Sequence, residues 1–284
     1  MITQVATNVR IPPLRRAAAD DDRPPEARGW CVRQQWCDPG GVLLATGGSD
    51  NGQCWMHWPT IGLFVFDPAQ GDVLVHAARD ARQTDIDDTY VRGVLPAVFL
   101  AQGYEALHAS AVLVRDRVVA FAAESGTGKS TLAAAIARIC DAQWADDTTL
   151  CRIDSDAPTA VALPFPQRLD AAARVALTTI SGEPRFALPG SSAPLAAMYV
   201  VKRADLRLGF AEFRRVPEAV AFRRLLAHAH PFELIAGRSR QLIERMLLLA
   251  SRIPVIELRV RSGLQHLPAV ASLVSRHAAS VHAN

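Results

Sequence analysis

Two glycines, a lysine and a hydroxyl stand close together in Gly126-Thr127-Gly128-Lys129-Ser130, and the carboxylate pair Asp146-Asp147 follows 17 and 18 residues after the lysine. Glycines at this spacing let the backbone turn its N–H groups inward, and such a concave run at a helix start makes a nest for an anion. A lysine beside the nest reaches the β- and γ-phosphates of a nucleotide, and the next hydroxyl reaches Mg²⁺. The whole stretch reads Ala123-Glu124-Ser125-Gly126-Thr127-Gly128-Lys129-Ser130, continued by Thr131, and these nine positions are the candidate nucleotide contacts. Ala123 stands where such loops usually open with glycine; a small residue fits there if its φ is ordinary. Paired carboxylates near a strand end after such a loop suit Mg²⁺ and proton chemistry. Adjacent side chains on a strand point to opposite faces, so the two need not share one role. An Asp-Asp pair also serves as a turn or a cap. His108, 21 residues before Lys129, returns to the loop if the intervening chain is a hairpin, or is a polar residue at a strand edge; spacing leaves both readings open.

Strand, glycine-bearing loop and helix must follow one another for this chemistry. The apolar run Val118-Val119-Ala120-Phe121, after the charged turn Arg115-Asp116-Arg117, supplies the strand, and Thr131-Leu132-Ala133-Ala134-Ala135-Ile136-Ala137 supplies the helix. Residues 105–114 read as a preceding strand, and 195–201 and 256–260 as later ones. Residues 219–229, 240–252 and 267–277 read as helices, the last with Pro268 in its tolerant first turn. Residues 162–169 read as a proline-bearing edge segment and 178–193 as a loop.

Upstream, residues 1–28 are rich in Arg, Asp, Ala and Pro without apolar periodicity and read as a flexible tail. Residues 29–86 carry short apolar or alternating runs at 30–32, 42–45, 54–58, 61–66 and 73–76, with turns at 38–41, 47–52 and 67–72, which predicts a small antiparallel β-domain. Four of the five tryptophans fall here, serving either as core aromatics or as an acceptor surface. Residues 87–104 predict a connecting helix, capped by Asp87 or Asp88 and kinked at Pro96. Residues 105–284 would form the catalytic domain.

Half of the 284 residues are hydrophobic and 21% are charged, which places the chain among globular proteins. A net charge of +3 lacks the basic excess of a dedicated nucleic-acid binder. The pairs Arg214-Arg215 and Arg223-Arg224 read as solvated faces. No stretch has the length of a membrane span and the first sixteen residues have no apolar core, so a cytoplasmic protein is expected. The odd set Cys31, Cys37, Cys54, Cys140 and Cys151 reads as reduced thiols. A zinc site from Cys31, Cys37, Cys54 and His57 would need a spacing that no usual zinc knuckle has.

Taken in order, Leu107-His108-Ala109-Ser110-Ala111-Val112, the loop 123–130 and Ala145-Asp146-Asp147 resemble the HPr kinase/phosphorylase catalytic domain, with its early active-site histidine, GESGxGKS loop and Ala-Asp-Asp motif. More closely, the chain is similar to HPr-kinase-like proteins with a small N-terminal domain, several of which act on ribosomally made peptides, including lasso-peptide precursors. The resemblance is sharp over 107–150, looser through 195–201 and 240–260, and faint before 87. It implies an α/β P-loop kinase core with a mixed sheet, using ATP and Mg²⁺. It implies Asp146 as general base and Lys129 with the loop amides on the phosphates. Ser130 would hold Mg²⁺ with Asp147 as a direct or water-mediated helper, and His108 would sit beside the reacting phosphates. Gly237-Arg238 stands for a later Gly-Arg whose arginine is active in the family. The family's magnesium-binding glutamate, due roughly two dozen residues after the aspartates, has no Glu counterpart; Gln167 and Asp170 stand in that region.

The expected activity is ATP- and Mg²⁺-dependent transfer of a phosphoryl group to a serine-type hydroxyl on a peptide or small protein. A small-molecule kinase and a nucleotide-gated interaction module with little turnover are the alternatives. The expected partner is the acceptor peptide, with no nucleic acid and no membrane; assembly into a homo-oligomer stays open.

Overall fold

The computed structural model describes residues 9–18, 25–69, 72–153, 157–165, 167–206, 209–235 and 237–281. The segment expected as a tail falls partly outside these residues, at 1–8 and 19–24. Two mixed sheets lie in two compact units, one comprising Ile11–Tyr104 with Pro231–Leu242, the other Met1–Arg10, Glu105–His230 and Ile243–Asn284. Among the described residues no helix is long and apolar enough to cross a membrane.

The first unit is built on six strands: β1 (Leu14–Arg16), β2 (Val32–Cys37), β3 (Leu43–Asp50), β4 (Gln53–Trp58), β5 (Gly62–Phe66) and β6 (Val73–Ala77). Their order is β1-β6-β5-β4-β3-β2, with β1 parallel to β6 and every other pair antiparallel. β1 lies inside the stretch read as a tail; its backbone pairs with Val73–Val75 although its three residues show no sequence alternation. The turn expected over 47–52 narrows to Asn51-Gly52, whose φ values of 47° and 82° are those a two-residue hairpin requires. Gly47 and Gly48 stay in β3, where a Cβ would lie 2.6 Å from Leu234 and 2.2 Å from the Cys31 carbonyl. Of the tryptophans here Trp55 is buried in the core and faces Trp30, whereas Trp30, Trp36 and Trp58 are half-buried; Trp36 meets Phe232, and Trp58 meets Phe64 edge-on.

The helix expected from Asp87 or Asp88 starts earlier, as α1 (Gln83–Thr89) with Arg82 at its N-cap, and continues through a π-type turn (Tyr90–Val94) into α2 (Leu95–Ala101). Asp87 and Asp88 are therefore not caps; they accept side-chain hydrogen bonds from Gln83 and Arg92, each one turn away. Pro96 lies inside this continuous helical run, as the second residue of α2, and the π-type turn that ends at Val94 directly precedes it.

The second unit carries β7 (Glu105–Leu107), β8 (Ala109–Val114), β9 (Arg117–Ala122), α3 (Lys129–Ala137), β10 (Ala142–Ala145), β11 (Thr149–Arg152), β12 (Thr159–Val161), α4 (Ala171–Leu177), β13 (Ser192–Ala204), β14 (Ala211–Arg215) and α5 (Glu218–His228). α6 (Arg238–Arg252), β15 (Val255–Arg261) and α7 (Leu267–Ser280) follow, α6 beginning in the first unit. The long β13 organises the sheet. Its start pairs with β12, its middle runs parallel to β9 and its end runs parallel to β15. β8 and β10 extend the sheet beyond β9, and β14 extends it beyond β15. All residues from Leu132 to Ala137 are buried. Their alanines let α3 pack closely on β8, α4 and α7 at once.

α4 is absent from the sequence reading. Its N-cap is Asp170, whose Oδ1 accepts the Ala173 N–H at 2.6 Å.

Candidate active site

The segment between β9 and α3 turns at Gly126 and Gly128, with φ of 78° and 97°, and Gly128 is the N-cap of α3. Both values lie where L-residues are disfavoured, which is the local reason for glycine. Ala123 is buried and has no positive φ, so alanine fits at the opening of the loop. The first N–H groups of α3 lack intrahelical partners, as at any helix start, and with the helix dipole they favour an anion. The loop and Ser130 and Thr131 line an open cavity of about 410 Å³, lined also by Leu169, Val260, Leu264 and Val270.

Lys129 reaches two other residues expected at the site. Its Nζ lies 3.0 Å from Asp147 Oδ1 and 3.1 Å from His108 Nε2, while His108 Nδ1 is 3.5 Å from the same Asp147 oxygen. His108 gets there because the single strand expected over 105–114 is broken at it. β7 pairs with β11, β8 pairs with β9 and β10, and His108 donates its backbone N–H to the His228 carbonyl at 2.6 Å. Burial first, and Lys129 second, lower the His108 pKa, while Asp147 pulls in the other direction without reversing it. For Asp147 burial alone would raise the pKa, but the hydrogen bond and charge of Lys129, with His108 and His230, bring it below the ordinary carboxylate value.

Asp146 is in a different environment. It is 3% exposed, with Oδ1 accepting from the Ser110 hydroxyl at 3.2 Å and Oδ2 accepting from the Arg168 backbone N–H at 3.0 Å. Ser110 Oγ in turn is 3.4 Å from Ser130 Oγ. The two adjacent carboxylates diverge because Asp147 takes a left-handed conformation, φ 71°, which aspartate tolerates better than most residues. One carboxylate thus connects through Ser110 to the serine expected at the metal, and the other adjoins the lysine expected at the phosphates.

Two further histidines were not singled out as site residues. His230 follows the end of α5, stands edge-on to His108 at a centroid distance of 6.1 Å, and has Nε2 3.4 Å from Thr148 Oγ1. Burial first, and His108 second, lower its pKa to about 4. His228 is lowered by burial and then by His108, and is raised slightly by Glu124. The only sequence signal was the His-Ala-His spacing before Pro231, which carries no chemistry until Ala229 bridges to Leu107.

The counterparts of the missing glutamate divide. Asp170 lines the cavity and caps α4, whereas Gln167 donates to the Gln143 side chain. Arg238 belongs to the first unit, where its guanidinium donates to the Tyr104 carbonyl at 3.4 Å. Among the described residues no three His, Cys, Asp or Glu side chains gather as a metal site. The donors near the loop, Ser130 Oγ and the Asp146 carboxylate behind Ser110, are hard oxygens. They are too few for an all-protein cage and fit Mg²⁺, which keeps waters and shares its shell with phosphates.

No protein-family model matches the chain and no curated protein matches it. Among solved structures, the HPr(Ser) kinase/phosphatase from Coxiella burnetii is similar at 12% sequence identity, over 61% of this chain and 95% of that one, with a TM-score of 0.31.

Proposed function

We propose that the second unit binds a nucleoside triphosphate, in the first place ATP with Mg²⁺, and transfers its terminal phosphoryl group to a hydroxyl acceptor. The observation that carries this reading is the Lys129–Asp147–His108 cluster, held within 3.0–3.5 Å immediately after the Gly126–Gly128 loop. The loop N–H groups and the Lys129 ammonium would neutralise phosphate charge, and Ser130, with the Asp146 charge behind it through Ser110, would hold Mg²⁺. Bound Mg²⁺ supplies charge neutralisation on the transferring phosphates.

The geometry supports roles for the two aspartates opposite to those that the resemblance implies. Asp146 is enclosed, with both oxygens engaged, and is connected to Ser130 through Ser110. Asp147 is half-exposed and lies beside the lysine. In this reading Asp147 takes the acceptor's hydroxyl proton while the acceptor oxygen bonds to the γ-phosphorus and the bond to the β-bridging oxygen breaks. An in-line transfer of this kind needs positioning and charge neutralisation, not a covalent enzyme intermediate. His108, with one ring nitrogen toward each, fixes the Lys129 and Asp147 side chains.

The acceptor class we propose, by resemblance, is a serine-type hydroxyl on a peptide or small protein. Incubating the full chain with ATP, Mg²⁺ and a library of serine-containing peptides, followed by intact-mass analysis, tests it. Gain of one phosphoryl group on a subset of peptides, absent with Asp147→Asn, is the expected result. Bound ATP with neither peptide phosphorylation nor ADP release would overturn the transferase reading.

A further inference from the structure

Building on the nucleotide reading, we propose that Arg203 is a second polyphosphate ligand, gripping the phosphates from the Thr127 side of the loop while Lys129 holds them from the His108 side. Strand alternation decides which side chains of β13 face the loop. Val201 and Arg203 line the 410 Å³ cavity, whereas Lys202 between them pairs with Glu257 at 2.9 Å. Arg203 Nε donates to the Thr127 carbonyl at 2.9 Å. That uses one of the five N–H donors of a guanidinium, and among the described residues no carboxylate pairs with the rest. The group lies against the loop backbone: Nη2 is 3.3 Å from where a Cβ of Gly128 would stand.

The surrounding charge points to a polyanion. Four cationic side chains, Lys129, Arg168, Arg203 and Arg261, line the cavity against two carboxylates, Glu124 and Asp170. One Asp170 oxygen is already used in capping α4. Arg203 and Arg261 stand at the C-terminal ends of two parallel strands, the edge of an α/β sheet where ligands bind. A planar guanidinium fork matches phosphate oxygens two at a time, which a lysine cannot do. Arg203 therefore reads the phosphate chain and leaves the base to the apolar wall of Leu264, Leu267 and Val270.

Calorimetric titration of the full chain with ATP, ADP and AMP tests this, comparing wild type, Arg203→Gln and Lys129→Ala. Glutamine can still donate to the Thr127 carbonyl, so the loop keeps its anchor while the charge and the fork are lost. The expected result is a loss of about tenfold or more for ATP and ADP in R203Q, with AMP affected by about twofold at most. An R203Q affinity equal to wild type for all three, with K129A still impaired, would overturn the Arg203 assignment alone. An equal loss for all three would also overturn it, because that pattern belongs to a disordered loop. Failure of the wild type to bind any of the three would overturn the nucleotide reading and this inference together.

Discussion

Lys129 and Asp147 meet at 3.0 Å because the chain reverses at Asp147 with φ of 71°, turning its carboxylate toward the start of α3 while Asp146 stays 3% exposed behind it. Two neighbours in sequence are thereby given different surroundings, and the consequences can be measured.

Lys129→Ala should weaken ATP binding at least about tenfold, since it removes a charge-assisted contact to phosphate. Asp147→Asn should leave nucleotide affinity within about threefold, because asparagine also accepts the left-handed φ, yet lose transfer by about 10²–10⁴-fold as the proton acceptor disappears. Nucleotide titration and single-turnover transfer on the same samples separate the two.

Asp146→Asn should fold normally. The amide oxygen keeps the Arg168 N–H, and the amide NH₂ faces the Ser110 hydroxyl, which can accept instead of donating. What it loses is the negative charge behind Ser130. Nucleotide affinity measured with and without Mg²⁺ should therefore differ less in the variant than in wild type. An unchanged Mg²⁺ dependence would remove Asp146 from the metal side.

His230 should make the protein acid-sensitive. Its folded pKa of about 4 lies below the ordinary value of 6.5, so between these pH values the unfolded chain binds a proton that the folded chain refuses. Stability from this group is complete above pH 6.5, falls as pH drops toward 4 and levels off below, by up to the order of 3 kcal/mol. Urea denaturation at pH 7, 5.5 and 4.5 should show a shallower decline for His230→Asn than for wild type, whatever the variant's stability at neutral pH.

Gly128→Ala places a Cβ at φ 97° and 3.3 Å from the Arg203 guanidinium. Backbone strain of about 1–2 kcal/mol is expected, because an L-residue there pays the left-handed penalty. Differential scanning calorimetry should show a lowered transition for G128A, while G126A, which has open space around its Cβ position, should show the backbone strain without the contact.

The sequence by itself determined the loop and what flanks it. Glycines that must turn the chain, the alanine-rich helix behind them and the apolar strand before them act within a few residues, so their types and spacing are enough. It also indicated the second unit's later strands and helices, whose apolar runs are long enough to be read alone. Tertiary structure decided the rest. A short α4 carries too little periodicity to be seen and depends on the single cap at Asp170. Pro231–Leu242 belongs to the first unit although it lies far along the chain, because Glu233 and Pro231 hydrogen-bond to Gln34. His230 and Arg203 enter the site through contacts 82 and 76 residues away, with Thr148 and Thr127. Such contacts exist only after loops are closed and strands are paired, and no local rule encodes which distant residue will arrive. The separate environments of Asp146 and Asp147 are of this kind: the pair lies between β10 and β11 rather than on a strand, so the left-handed φ of Asp147 and not alternation parts the carboxylates, and the positions of Ser110, Arg168, Lys129 and His108 decided what each one meets.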